Sequence, residues 1–306
     1  MLVFLTTVRH PANSNDFGRV LRLLEGTLAS VCNQKDEGFE VIVVCNERPS
    51  IAFDHPKVHY HIVDFPPPSA LRRADTGMDA LKRDKGTKLM AGVLAARGYE
   101  PDYFFIFDAD DLVSDRLSAF ANSNPGLPGW YVDAGYSLDF RTGRVQRRHG
   151  MVRYCGTTLM PNAAELLRLS RAPAELSEFA SQQELLDATS FRFIDDVLGN
   201  HVHMVPYFQA HGLKMAAIPF HASVWVLNTG ENHTGTNAEG GLPPTESFCR
   251  EFGLPPRETA DAAAIDWLRE SFVCMRSAIG AKVSFYCARQ RAREWQQVVD
   301  AIKAGE

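Results

Sequence analysis

Apolar runs alternate with amphipathic stretches along the first third of the chain. Four runs rich in Val, Ile, Phe and Tyr predict strands, at residues 2–8, 39–47, 57–63 and 103–107. Leu and Val recur at helical spacing between residues 20 and 31. A second helix is predicted from Thr87 to Arg97, with Gly98 just past its end. Strands that alternate with helices in this way predict a doubly wound, mostly parallel α/β sheet.

Three aspartates follow the fourth strand directly: Asp108, Asp110 and Asp111. Ligands of open α/β sheets bind beyond the carboxyl ends of the strands, where this cluster is expected. Side chains two apart in an extended chain point the same way, so Asp108 and Asp110 make a hard-oxygen site suited to Mg²⁺ or Mn²⁺. Asp111 is interpreted as only the polar start of the next element, in a turn or at a helix cap.

The pattern changes after Leu112. A hairpin is predicted over residues 130–148, with its turn near Gly143, and helical spacing returns further on. No linker is visible, so two interlocked halves of one domain are expected rather than two separate domains. The predicted segments are residues 1–112, residues 113–256 and a helical extension over residues 257–306.

The composition excludes some classes of function. Lys and Arg number 32 against 37 Asp and Glu, a net charge of −5, which argues against a nucleic-acid binder. The 6 Cys form no C-x-x-C pair, so free thiols in a reducing compartment are expected. No segment approaches a transmembrane span. A cytoplasmic protein is predicted. The basic run at residues 289–295 fits a solvated helix face better than the alternative, peripheral contact with the inner face of a membrane.

Two lysines, Lys85 and Lys88, stand at the start of the second predicted helix. Cations oppose the helix macrodipole there, and a bound phosphate would resolve the conflict. The alternative is that both side chains simply extend into water. Arg9, in the loop after the first strand, is a second candidate for contact with a phosphate or a nucleotide.

Five segments follow one another in a particular order. They are SVCNQKDEGFEVIVVCNE (30–47), DKGTKLMAGVLAARGYEP (84–101), FFIFDADDLVS (104–114), RYCGTTLM (153–160) and FIDDVL (193–198). Together they resemble the GT-A-fold glycosyltransferases that use nucleotide sugars, in particular the large inverting family that includes cellulose and chitin synthases. The resemblance spans roughly residues 2–236. It implies a GT-A-type fold, with a Rossmann-like nucleotide half at 1–112 and a mixed acceptor half at 113–256.

The resemblance implies roles for particular residues. Asp196, the second acid of a pair with Asp195, would be the catalytic base, although either carboxylate also fits a helix cap. Gly156 and Thr157 would line the acceptor side, in a strand of small residues. The metal would be held by Asp110, Asp108 and a late histidine, with His233 preferred to His221. The implied contacts with the donor are Thr7, Arg9, Glu47, Lys85, Lys88, Asp108 and Ala109.

The chain also departs from the family pattern. Glu47 stands where an aspartate usually binds the nucleotide base, the acidic pair is Asp-Asp rather than Glu-Asp, and the Q-x-x-R-W signature of processive synthases is missing. These departures imply a soluble, non-processive enzyme. It would be dependent on Mn²⁺ or Mg²⁺ and would transfer a sugar from a UDP- or GDP-sugar to a sugar or a lipid-linked acceptor.

Two other classes of function are open. A nucleotidyltransferase has a similar sheet and acidic metal site, but the loop after the first strand lacks the glycines such enzymes usually carry. A non-catalytic module that binds sugar or Ca²⁺ through the aspartates is the third class, without EF-hand spacing.

Overall fold

The computed structural model describes residues 1–70, 75–190, 192–232, 240–255 and 290–304. Its strands are β1 Leu2–Thr7, β2 Phe39–Cys45, β3 Val58–Ile62, β4 Tyr103–Asp108, β5 Leu112–Val113, β6 Gly129–Tyr131, β7 Ala134–Asp139, β8 Val145–His149, β9 Leu159–Pro161, β10 Ala216–Ala217 and β11 Ser223–Leu227. The α-helices are α1 Phe17–Val31, α2 Met78–Ala95, α3 Leu117–Ser123, α4 Ala163–Ser170, α5 Gln182–Ala188, α6 His201–Ala210, α7 Glu246–Glu251 and α8, residues 290–304. A π-helix occupies Phe193–Leu198.

Seven strands form the main sheet, in the order β10-β6-β9-β4-β1-β2-β3. The neighbours from β4 to β3 run parallel, and β9 is antiparallel to both β4 and β6. Because strand order reverses at β1, the carboxyl ends of β1 and β4 mark the topological switch point of the sheet. The predicted mostly parallel α/β sheet is confirmed.

Helices α1 and α2 cover opposite faces of this sheet. Side chains alternate along each strand, so Phe4 and Phe105 pack with α1 while Leu5 and Ile106 pack with α2. Gly86 lets α2 lie close to the π-helix, because a Cβ there would come within 2.2 Å of the Ile194 carbonyl oxygen. Both helices are thereby fixed beside the switch point.

The second sheet has four strands, in the order β5-β11-β7-β8. Strands β7 and β8 form the predicted hairpin. Val224 and Val226 of β11 pack into a separate small core with Phe248 and Phe252. This sheet carries the mixed half of the fold expected from the sequence.

Helix α8 packs on this half through its basic face. Arg291 is buried and pairs with Asp133, and Arg153 donates to the Glu294 carboxylate at 2.8 Å. The expectation of a solvated basic face is therefore wrong for Arg291, whose charge is used inside the protein. Among the residues that the structure describes, no helix is both long enough and apolar enough to cross a bilayer.

Two sequence predictions of local structure are wrong. Helix α2 begins at Met78, nine residues before the predicted start at Thr87, because its first turns pair Lys82, Arg83 and Lys85 with carboxylates and so need no apolar periodicity. The predicted strand of small residues around Gly156 is a loop. Its polar groups form hydrogen bonds with the acidic cluster instead of with a neighbouring strand, and β9 begins only at Leu159.

Candidate active site

A cavity of about 240 Å³ opens at the switch point between β1 and β4. The register pairs Thr7 with Asp108, so the last residues of the two strands stand side by side at its floor. The cavity brings together most of the site residues predicted from the sequence, which are Thr7, Arg9, Lys85, Asp108, Ala109, Asp110 and Gly156.

Asp108 is held in place from three directions. Its carboxylate pairs with the Lys85 ammonium, and its backbone N–H donates to Thr157 Oγ1 at 3.0 Å. Gly156 is required beside it, because a Cβ there would lie 2.3 Å from Asp108 Oδ2. Burial by itself would raise the pKa of Asp108, but the charge and hydrogen bond of Lys85, together with smaller electrostatic contributions from His201 and Arg9, hold the pKa below its usual value.

In the described part of the chain, Asp110 lines the cavity without a cation partner, whereas Asp108 is paired with Lys85. Within the described ranges no Lys, Arg or His lies at ion-pair distance from it, and its nearest polar contact is the Asn232 amide at 3.5 Å. Burial and the neighbouring Asp108 charge raise the pKa of Asp110 to about 6. Negative charge is therefore in excess at this point of the cavity, which favours a bound cation.

Asp111 is an internal crosslink, and its interpretation as only the polar start of the next element is wrong. The side chain is 1% exposed. Its carboxylate accepts from Thr157 Oγ1 at 2.5 Å and from the Val226 N–H at 2.9 Å, joining the loop before β9 to β11. Burial and the charges of Asp110 and Asp108 raise its pKa well above the usual value.

Arg9 lies in the cavity wall in a pair with Glu231. Its Nη1 donates to the Glu231 carboxylate at 2.6 Å, and its Nη2 donates to the Glu231 carbonyl at 3.0 Å. Glu231 is only 2% exposed and also accepts from the Asp16 N–H at 3.0 Å. The loop at 228–232 is thereby tied to the loop after β1.

Lys88 does not face the cavity, and the prediction that it starts a helix beside a phosphate is wrong. It lies inside α2, is fully buried, and its ammonium is 3.0 Å from one Asp84 oxygen and 3.0 Å from the Val8 carbonyl. Lys85 is also inside the helix, one turn earlier, but its side chain reaches the cavity.

The predicted base and nucleotide contact lie outside the cavity lining. Asp195 pairs with Arg83 at 2.7 Å, and Asp196 pairs with Arg192 at 2.6 Å. Neither caps a helix, because both belong to the π-helix. Glu47 is exposed just past the end of β2.

The two candidate histidines have different outcomes. His233 lies outside the described residues. His221 packs against Tyr136 near the second sheet and does not line the cavity.

The sequence interpretation did not include several residues of the cavity lining, among them His201, Tyr154 and Trp225. His201 begins α6, and burial together with the Lys85 charge lowers its pKa to about 4, so its ring is neutral at pH 7. Tyr154 and Trp225 are far apart in sequence, and their rings lie nearly parallel. Tyr154 lies inside the segment 153–160, and His201 lies three residues after the segment 193–198, whereas none of the five segments contains or adjoins Trp225.

A divalent cation fits this donor set in part. Asp110 and Asp108 supply the hard oxygens that Mg²⁺ and Mn²⁺ prefer, and the pKa of Asp110 is raised first by burial and then by the Asp108 charge. No group of three or more His, Cys, Asp or Glu side chains gathers into a metal site within the part of the chain that the structure describes. A bound ion would therefore need oxygens from substrate or water to complete its coordination.

No family model matches the sequence, and no curated protein matches it. Among solved structures, a structure of S. aureus TarS 1–349 is similar, with a TM-score of 0.38 at 10% identity, over 74% of this chain and 60% of that chain. TarS 1–349 in complex with UDP-GlcNAc gives a TM-score of 0.39 at 10% identity, over 78% of this chain and 61% of that chain. The chain thus spans about three fifths of the length of these structures.

Proposed function

We propose that this protein is a glycosyltransferase that moves a sugar from a nucleoside-diphosphate sugar to an acceptor hydroxyl. The observation that carries the proposal is the convergence of an unpaired carboxylate, Asp110, with the cations Arg9 and Lys85 in one cavity at the switch point. Such a cavity has groups for a diphosphate and for a divalent ion together. The order of segments in the sequence supports the same reaction class.

The chain's own groups account for donor binding. Arg9 and Lys85 line the cavity and are proposed to meet the diphosphate, with Asp108 orienting Lys85 through their ion pair. Asp110, with Asp108, is proposed to hold Mn²⁺ or Mg²⁺. A bound ion would supply charge stabilisation for the leaving nucleoside diphosphate. The nucleotide could be UDP or GDP, with Glu47 as the proposed contact of its base.

Inversion at the transferred carbon requires a base for the acceptor hydroxyl. Asp196 is proposed for this role on the sequence resemblance. Its carboxylate is partly buried and paired with Arg192, so this pair has to open for the role to be filled. His201 lines the cavity five residues further along the chain. Comparing the rate of sugar transfer in Asp196→Asn with that in His201→Asn shows which of the two side chains acts as the base.

Asp110→Asn tests the proposal directly. The change removes one negative charge and keeps the side-chain shape, so the fold should be retained while metal-dependent binding and turnover of the donor are lost. Asp54→Asn is the matched control, since Asp54 is exposed and outside the cavity. Thermal shift with UDP- and GDP-sugars, with and without Mn²⁺, reports binding, and product analysis reports the reaction.

Mn²⁺-dependent turnover by Asp110→Asn equal to that of the wild-type protein would contradict the proposed metal role of Asp110. A wild-type protein that neither binds nor consumes a nucleotide sugar would contradict the proposed function itself. Release of pyrophosphate instead of a nucleoside diphosphate would point to a nucleotidyltransferase. Binding of nucleotide sugars without turnover, across a broad panel of acceptors, would point to a non-catalytic module. The anomeric configuration of the product decides whether the transfer is inverting.

A further inference from the structure

Two aromatic side chains with nearly parallel rings line the cavity. The rings of Tyr154 and Trp225 are within 12° of parallel, with centroids 6.4 Å apart, and both residues line the cavity. Tyr154 is 48% exposed. Single exposed aromatics are common, but a parallel pair beside carboxylates and cations is a combination suited to a ligand with both a flat apolar face and polar groups.

The fold presents Trp225 to the cavity because of strand alternation. Val224 and Val226 point into the small core beside α7, so Trp225 between them faces the other side of β11. The Val226 N–H is bonded to the Asp111 carboxylate, which fixes this part of the strand to the acidic cluster. The indole is therefore placed by a rigid element rather than by a free loop.

Tyr154 is contacted by the side chain of its neighbour Arg153. The Arg153 guanidinium lies 5.5 Å from the centre of its ring and is itself paired with Glu294 of α8. Two residues further on, Gly156 lies against the Asp108 carboxylate. The tyrosine therefore lines the same cavity as the acidic cluster, and its neighbour Arg153 links it to α8.

We propose that Tyr154 and Trp225 form a stacking platform for a sugar ring of the acceptor, so that the acceptor is a carbohydrate. This inference rests on the proposed function and names the substrate class of the same site. A pyranose has a face of C–H groups that packs on an aromatic ring, which carries negative charge on its face. Its rim of hydroxyls needs polar partners, and polar side chains such as Asp110 and His201 line the same cavity.

Other ligands fit the platform less well. An alkyl chain would leave the surrounding carboxylates without partners at a cost in desolvation. A nucleobase also stacks on aromatic rings. However, the cations proposed for the diphosphate, Arg9 and Lys85, come from the loop after β1 and from α2, whereas the platform belongs to the segments before β9 and in β11.

Tryptophan fluorescence tests the platform without requiring turnover. The probes are methyl glycosides and disaccharides of glucose, galactose and N-acetylglucosamine, beside n-alkyl alcohols, UDP and GDP. The signal from Trp225 is the difference between the wild-type protein and Trp225→Phe. Saccharides should change this signal, and alcohols and nucleotides should not. The inference is overturned if no saccharide changes the Trp225 fluorescence, whether or not nucleotides or alcohols change it.

Steady-state kinetics give the second readout, with the best saccharide from that panel as acceptor. Trp225→Leu and Tyr154→Leu should each raise the KM for the saccharide about tenfold, as expected for one lost stacking partner. Trp225→Phe should keep most of the affinity, and the dissociation constant of the donor should move less than twofold. Phe140→Leu is the control, since Phe140 is 52% exposed and outside the cavity.

The two proposals fail in different ways. An unchanged KM for the saccharide in both leucine variants refutes the platform while leaving the glycosyltransferase proposal intact. A wild-type protein that neither binds nor consumes any nucleotide sugar refutes the proposed function. The fluorescence titration then still decides whether the platform binds sugar rings.

Discussion

Replacing Lys88 by methionine should destabilise the protein strongly without acting on the donor directly. Lys88 is completely buried in α2, with its ammonium bonded to the Asp84 carboxylate and to the Val8 carbonyl. Methionine keeps the length and much of the apolar stem. The change therefore removes the charge and leaves the packing nearly intact.

The expected loss in the free energy of unfolding follows from the groups that lose their partner in Lys88→Met. Asp84 is only 7% exposed, so its carboxylate would stay buried without a counterion, and the Val8 carbonyl would lose its donor. Removing one partner of a buried ion pair costs about 3–5 kcal/mol. Removing both charges, in Lys88→Met with Asp84→Asn, should cost about 1–2 kcal/mol, since only neutral groups then need partners.

Urea denaturation of the wild type, both single variants and the double variant gives the free energies of unfolding and the coupling between the two residues. Lys82→Met is the control on the same helix. Lys82 pairs at 3.7 Å with Asp79, which is 95% exposed, so a loss below about 1 kcal/mol is expected.

Two results would refute this reasoning. One is a Lys88→Met variant within about 1 kcal/mol of the wild type, which would mean that the ion pair does not neutralise Asp84. The other is a double variant as unstable as the sum of the singles. A folded Lys88→Met protein whose affinity for UDP-sugars falls as far as that of Lys85→Met would restore the prediction that Lys88 binds phosphate.

Three further predictions concern other buried or paired groups. Asp111→Asn should cost about 1 kcal/mol, because its carbonyl can still accept from the Val226 N–H, whereas Asp111→Ala should cost about 2–4 kcal/mol in urea unfolding. Burial lowers the pKa of His221 from 6.5 to about 4, so the unfolded chain binds the extra proton between these pH values and acidification through 6.5 lowers stability. The urea midpoint of unfolding of His221→Gln should therefore fall less steeply than that of the wild-type protein as the pH is lowered from 7 to 5. Glu231→Gln should tighten UDP binding several-fold by calorimetry, since it removes the charge that neutralises Arg9; weaker binding would contradict this.

The part of the fold in which strands alternate with helices could be predicted because the hydrophobic patterns that indicate these elements are local. The runs that become β1, β2 and β4 are continuous and apolar, as strands buried on both faces must be. The start of α2 could not be predicted in this way. Its first turns carry charges in place of an apolar pattern, and one partner, Asp195, lies 112 residues from Arg83.

The acidic cluster shows the same division. Its place at the end of a strand followed from the sequence, and so did the expectation that Asp108 and Asp110 face a ligand. The sequence set Asp111 apart from them but assigned it the wrong role, because what buries Asp111 is Thr157 and β11, which are distant in the chain. Lys85 and Lys88, three residues apart on one helix, likewise differ only in what surrounds them.

The sequence by itself determined the α/β class, the order of the first strands and the end of the sheet where a ligand belongs. It did so because hydrophobic periodicity and strand ends are properties of short segments. Only the tertiary structure decided which charges face the cavity and which are neutralised inside. It alone brought Tyr154 beside Trp225, because burial and pairing depend on contacts between segments that no local pattern encodes.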